Sequence, residues 1–182
     1  MNILIIPARG GSKRILRKNI KDFCGKPMIY WPIQIAKNSK IFDQIIVSTD
    51  DEEIADIAKG FGASIPFVRP PELSDDYCGI NDVLSHAVSW LDDENYEINN
   101  VCCVYPTSVF FQTHELVEGY KALESGNWSY VFSATRFAYP IFRSFKQNKK
   151  TVTVQGRKCK TTPVGARVIA GQPCRPRLAP ND

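Results

Sequence analysis

The sequence predicts an α/β fold: a mostly parallel sheet with helices on both faces. Two observations predict it. Short apolar runs alternate with amphipathic helical patterns from Asn2 to Thr135, the pattern of parallel strands joined by helical crossovers. The composition, 43% hydrophobic and 23% charged over 182 residues, suits one globular domain with a core of useful size. No apolar run approaches the ~20 residues of a membrane span.

The elements follow in order. NILII, residues 2–6, is a short buried strand closed by Pro7. Residues 7–26 form a long basic loop. Pro27 suits the first position of a helix reaching about Asn38. Pro32 inside that helix predicts a kink or a later start, because proline removes a hydrogen bond and crowds the preceding turn. DQIIVSTD, 43–50, is a second strand. DEEIADIAKGFG follows as a helix with acids in its first turn, where the helix dipole favours them. Its apolar stripe is Ile54, Ile57, Ala58 and Phe61, and Gly60 and Gly62 mark its end. ASIPFV is a third short strand, and RPPELSDDYCGIN a loop. Residues 82–91 are a helix with Val83, Leu84, Ala87, Val88 and Leu91 on one face. NVCCVY, 100–105, is a buried strand and PTSVFFQ its loop. Thr113 is the expected N-cap of a helix carrying Leu116, Val117, Tyr120 and Leu123. SYVFSAT, 129–135, is a fifth strand.

The remainder differs. Residues 146–182 hold no aromatic residue and one acid, and PVGARVIAGQPCRPRLAPND shows neither helical nor strand period. Its Pro, Gly and Arg content predicts loose coil or disorder. Charge changes with it. Residues 1–142 carry thirteen Lys and Arg against eighteen acids, a net of −5; residues 143–182 carry ten against Asp182 alone, a net of +9. A basic tail raises nucleic-acid binding as one function class, but this one lacks aromatic interleaving and a basic helical face.

Six cysteines occur without a CxxC pair and with only His86 and His114 beside them, which argues against zinc and for reduced, mostly buried thiols. Both histidines fit structural positions on helices, and Cys24 has only general basicity near it. MNILIIPARGG lacks the basic segment and long apolar stretch of a signal peptide, so the expected location is the cytoplasm.

The chemistry concentrates in IPARGGSKRILRKN, residues 6–19. Seven of the first thirteen basic residues lie between Arg9 and Lys26, facing only Asp22. Gly10 and Gly11 let the backbone turn tightly and bring N–H groups toward a ligand. Ser12 adds a hydroxyl donor. Arg9, Lys13 and Lys18 add positive charge, and the Arg9 guanidinium can grip two phosphate oxygens. The spacing is neither a Walker A loop nor GxGxxG. A solvated basic surface loop is the alternative to a phosphate site.

At this point several blocks carry a resemblance. IIPARGGSKRILRKNIKDFCGKPMI, FDQIIVSTDDEEIADIAKGFGA, PFVRPPELSDDY and VYPTS occur in an order that resembles the nonulosonic acid cytidylyltransferases, over about Met1 to Phe145. KNIKDFCGKPMI, SYVFSAT and YPIFRSFK are most similar to the pseudaminic acid enzymes, with the N-acylneuraminate (CMP-sialic acid) synthetases close behind. The resemblance implies a Rossmann-like fold of the nucleotide-diphospho-sugar transferase type. It implies transfer of CMP from CTP to the anomeric hydroxyl of a nine-carbon 2-keto acid sugar, with release of pyrophosphate. By resemblance, Arg9, Lys13 and Lys18 carry the catalytic charge neutralisation, and Ala8, Arg9, Gly10, Gly11, Ser12, Lys13, Lys18, Asn19 and Arg69 bind CTP, with Asn19 on the cytosine. Tyr105, Thr107 and Ser108, in the loop with Pro106, face the sugar. Tyr105 agrees with the pseudaminic type and Pro106 with the sialic type, a mixture; over all blocks pseudaminic acid is slightly preferred and N-acetylneuraminic acid is a close second. For Tyr105, closing the core is the competing role; for Asp50, capping the next helix.

The resemblance further implies Mg2+ and a homodimer; no nucleic-acid or membrane partner is expected. The family holds its magnesium with a later Asp-x-Asp pair. After Glu124 this sequence has only Asp182, so no such pair is present. The expected organisation is an incomplete CTP-binding domain over 1–148 and an atypical basic tail over 149–182, as a frameshift or early stop would produce. A non-catalytic CTP-binding fragment is the alternative function.

Overall fold

The computed structural model describes residues 1–126 and 128–134, and beyond them the strand backbones Phe145–Gln147, Val152–Val154 and Arg167–Ala170. Its centre is a five-stranded sheet, every pairing of which is parallel. Strand β1 (Asn2–Pro7) lies between β4 (Gln44–Ser48) and β5 (Asn100–Cys103); β9 (Arg167–Ala170) lies between β5 and β6 (Tyr130–Phe132). Two short antiparallel ribbons stand apart: β2 (Asp22–Phe23) with β3 (Lys26–Pro27), and β7 (Phe145–Gln147) with β8 (Val152–Val154).

Alternation along the strands sorts side chains to two faces. In β1, Leu4 and Ile6 join one core, with Val47, Cys102 and Val104. Helices α1 (Tyr30–Ser39), α2 (Glu52–Gly60) and α4 (Thr113–Glu124) close that core through Ile33, Ala36, Ile54, Ala58, Leu116 and Leu123. Ile3 and Ile5 point the other way, with Ile46, Val101 and Cys103, under Leu84, Ala87 and Leu91 of α3 (Ile80–Asp93). The sheet is therefore covered on both faces, as the alternation predicts.

Several expectations change in detail. Helix α1 begins at Tyr30, three residues after Pro27, so Pro32 falls in the first turn and obstructs nothing. ASIPFV makes no strand; Ser64 alone bridges Ile46, its N–H donating to Ile45 O at 2.7 Å. The cap before α4 is Gln112, whose N–H donates to Glu115 Oε2 at 2.7 Å, and Thr113 is the first helical residue. The fifth expected strand shrinks to Tyr130–Phe132.

The stretch PVGARVIAGQPCRPRLAPND, expected to hold no strand, supplies β9: RVIA is a four-residue run too short to show a period, and the slot between β5 and β6 satisfies its backbone. Strand β8 likewise lies in the segment expected to be loose coil, and it pairs with β7. The other residues of 149–182, and the expected disorder there, lie outside the described residues.

Candidate functional site

Because β1, β4 and β5 run parallel and in register (Pro7 beside Ser48, Ile5 beside Cys103), the loops after all three leave the same sheet edge. Crevices at that edge are where open α/β sheets bind ligands.

The loop after β1 is fastened to the end of β4. The Ala8 N–H donates to Ser48 O at 2.9 Å, and the Ala8 side chain is fully buried in the core. The Gly10 N–H donates to Asp50 Oδ1 at 2.9 Å. A Cβ on Gly10 would lie 2.5 Å from Asp51 Oδ2, so close approach to the start of α2 is what requires glycine there. Gly11 has nothing within 4 Å of such a Cβ. The Ser12 N–H donates back to Gly10 O at 2.8 Å.

Arg17 closes the far end of the loop. Its backbone is left-handed, with φ 53°, and its guanidinium pairs with both Asp51 and Glu53 (Nη2 to Asp51 Oδ1, 2.9 Å). Asp51 also accepts the Ile54 N–H at 3.0 Å and so caps α2. The hydrogen bonds from Arg17 hold the Asp51 carboxyl below the usual carboxylate range. Of the two aspartates ending STDD, Asp51 is thus the cap and Asp50 the anchor of the Gly10 turn, which reverses the capping role considered for Asp50.

Arg9, Ser12, Lys13, Arg14, Ile15, Lys18, Asn19 and Asp76 line one cavity of about 580 Å3. Asn19 is buried, and its Nδ2 donates to Arg9 O at 2.9 Å, which fixes the strand end that carries Arg9. Four cations against one carboxylate make the cavity an electropositive seat for a multiply charged anion. Five of the expected CTP residues meet here. Arg14 and Asp76 were absent from the expected site; Arg14 was legible in the charge cluster, whereas Asp76 lies 67 positions from Arg9 in the chain and meets it only through the fold.

The other expected positions are placed differently. Ala8 serves through its backbone, and Gly10 and Gly11 shape the turn. Arg69 is 4% exposed, with Nε donating to Ser48 Oγ at 3.0 Å and Nη2 to Ser48 O. It braces the end of β4 and is not among the residues lining that cavity. Burial pulls its pKa down, and the nearby Asp50 opposes this. Tyr105, Thr107 and Ser108 follow β5 on the same edge but do not line the cavity either. The Ser108 N–H donates to Tyr105 O at 3.0 Å, and partial burial pushes the Tyr105 hydroxyl pKa up. His86 sits edge-on to Phe67 with its Nδ1 buried, His114 is exposed at the start of α4, and Cys24 is exposed in the β2–β3 turn.

Among the described residues, no three His, Cys, Asp or Glu side chains come together to hold a metal ion. The carboxylate at the cavity, Asp76, is already engaged by Arg9 and Lys13. These residues therefore do not fit a protein-held magnesium site.

A parallel sheet with a cationic cavity at its carboxyl edge defines an α/β protein suited to polyphosphate ligands. Comparison with known proteins is more specific. Residues 3–155 match the family model described as Cytidylyltransferase, and the chain belongs to that family. It is 46% identical over 148 residues to a pseudaminic acid cytidylyltransferase of Campylobacter jejuni, a match covering 81% of this chain and 64% of that protein. It is 34% identical over 140 residues to an N-acylneuraminate cytidylyltransferase of Escherichia coli, covering 76% of this chain and 32% of that one. Among solved structures it is similar to CMP:2-keto-3-deoxy-manno-octonic acid synthetase complexed with CTP, with TM-score 0.60, 20% identity, and 72% and 51% of the two chains covered. That likeness bears out the expected fold. The chain spans about 64% of the length of the Campylobacter relative. No helix among the described residues is long and apolar enough to cross a membrane.

Proposed function

We propose that this chain binds CTP in the Arg9–Asn19 cavity and transfers its CMP group to a nonulosonic acid. The observation that carries the proposal is the convergence of Arg9, Ser12, Lys13, Lys18 and Asn19 on one cavity at the carboxyl edge of the sheet. Its family membership supports the nucleotide. The higher identity to the pseudaminic acid enzyme than to the N-acylneuraminate enzymes favours pseudaminic acid over N-acetylneuraminic acid.

In this reaction the anomeric hydroxyl oxygen forms a bond to the α-phosphorus. The bond from that phosphorus to pyrophosphate breaks, and the hydroxyl proton passes to solvent. The protein's task is positioning and charge neutralisation. Arg9, Lys13 and Lys18 stabilise the charge that grows on the leaving pyrophosphate. Asn19 Nδ2 holds Arg9, so its Oδ1 is the atom assigned to accept from the cytosine amino group. Tyr105, Thr107 and Ser108 stand on the neighbouring strand end, where the sugar would lie. Magnesium enters the proposal only as an ion carried on the triphosphate, its usual mode of binding, and a homodimer and a cytoplasmic setting accompany it.

The test is calorimetric titration with CTP. Wild type is expected to bind, and Lys13→Ala and Arg9→Ala each to weaken binding roughly tenfold, as loss of a charge-assisted phosphate contact does. Equal binding of CTP by all three proteins would refute the site.

A further inference from the structure

We propose that Asp76 sets the phosphate affinity of this cavity: it is an internal anion that occupies the phosphate seat in the free protein and that an incoming polyphosphate displaces. The inference rests on the reading of the cavity as a phosphate site. One carboxylate is divided between the two cations, Oδ1 to Arg9 Nη2 at 2.5 Å and Oδ2 to Lys13 Nζ at 2.6 Å, the geometry a phosphate bridging the same pair would adopt. Arg9 Nη1 donates further to the carbonyls of Ser74 (3.4 Å) and Asp75. Every one of these acceptors comes from the single loop 74–76. Lys13 and Arg9 hold the Asp76 carboxyl below the usual range, so it is charged at neutral pH.

That loop can leave without uncovering core. Asp75 Oδ1 accepts the N–H groups of Tyr77 (2.9 Å) and Cys78 (2.6 Å), so the turn keeps its own shape. Tyr77 is 94% exposed. The Asp76 pairs are at the surface, where ion pairs are weak and screened by salt. A triphosphate sets several negative charges against this single one. Arg17 is held differently: its partner Asp51 also caps α2, so its pairing persists when a ligand arrives. The basic loop thus divides into an anchor, Arg17, and two cations, Arg9 and Lys13, held ready by a displaceable carboxylate. The return of Asp76 to both cations also opposes rebinding of pyrophosphate once it has left.

The test titrates the 182-residue chain with inorganic pyrophosphate, CTP and cytidine at fixed ionic strength. Wild type is compared with Asp76→Asn and with Asp93→Asn, a charge control at the exposed end of α3. Asp76→Asn is expected to bind pyrophosphate and CTP roughly three- to tenfold more tightly, the loss of two surface pairs, with cytidine affinity unchanged. Asp93→Asn is expected to match wild type. Equal or weaker pyrophosphate binding by Asp76→Asn, or an equal gain in Asp93→Asn, overturns the proposal while leaving the phosphate site standing. Absence of pyrophosphate binding in both wild type and Asp76→Asn refutes the phosphate site and the proposal with it.

Discussion

Gly10 and Gly11 are neighbours with opposite demands. A methyl on Gly10 would strike Asp51, whereas one on Gly11 meets nothing. Gly10→Ala is therefore expected to lower stability by about 1–2 kcal/mol, as overpacking does, and to weaken CTP binding with it. Gly11→Ala is expected to leave the denaturation midpoint unchanged, and any loss it shows belongs to CTP affinity alone. Urea denaturation paired with CTP titration separates the two. Arg69 is the other residue whose surroundings make a stability prediction. Its guanidinium is buried on Ser48, so Arg69→Ala leaves the Ser48 carbonyl without that donor and opens a void. A cost of about 2–4 kcal/mol is expected, and a variant as stable as wild type would contradict the bracing role. Sequence shows which of these residues are basic or small, but not which neighbour each meets. Arg9, Lys13 and Lys18 were legible because charge clusters locally. Asp76 and the burial of Arg69 depend on contacts between distant segments.

At the scale of elements, Asp51 joins the basic loop to α2. Its carboxyl titrates below its usual value because Arg17 donates to it. Ionised Asp51 thus stabilises the fold above the unfolded pKa, and that contribution is lost as pH falls below about 4, through the lower folded value. Asp51→Ala is expected to cost about 1–2 kcal/mol at pH 7 through the lost cap and ion pair. The gap to wild type should narrow at pH 3; a gap that widens in acid would show that the carboxylate does not stabilise the loop. Strand β5 makes a separate prediction. Burial pushes the Cys103 thiol up to about 12 and that of Cys102 well above its ordinary value, so both resist alkylation at pH 8, while exposed Cys24 is labelled. Peptide mapping after maleimide treatment checks this, and labelling of Cys102 or Cys103 in the native protein would contradict a buried β5. Most of these elements were legible because apolar period and turn residues agree. The ends were less so: Asp50 and Asp51 are chemically equal in sequence, and only the direction of the chain leaving β4 decides which one caps α2.

For the whole molecule, the alternation of strand and helix placed the parallel sheet and its two covered faces, and parallel strands in turn gather the loops after β1, β4 and β5 on one edge. The pairing order was not legible. Strand β9 comes last in the chain yet fills the slot between β5 and β6, a long-range choice that a four-residue run cannot announce. Family membership rests on residues 3–155, and the cavity lies wholly within them. A cavity proposed to turn CTP into a CMP-sugar must release pyrophosphate. That release is measured with the 182-residue chain, CTP and Mg2+, with pseudaminic acid and N-acetylneuraminic acid compared as acceptors. Release is expected to require both CTP and the sugar, to be faster with pseudaminic acid, and to fall at least tenfold in Lys13→Ala. No release with either sugar, from protein shown by titration to bind CTP, would contradict the proposal.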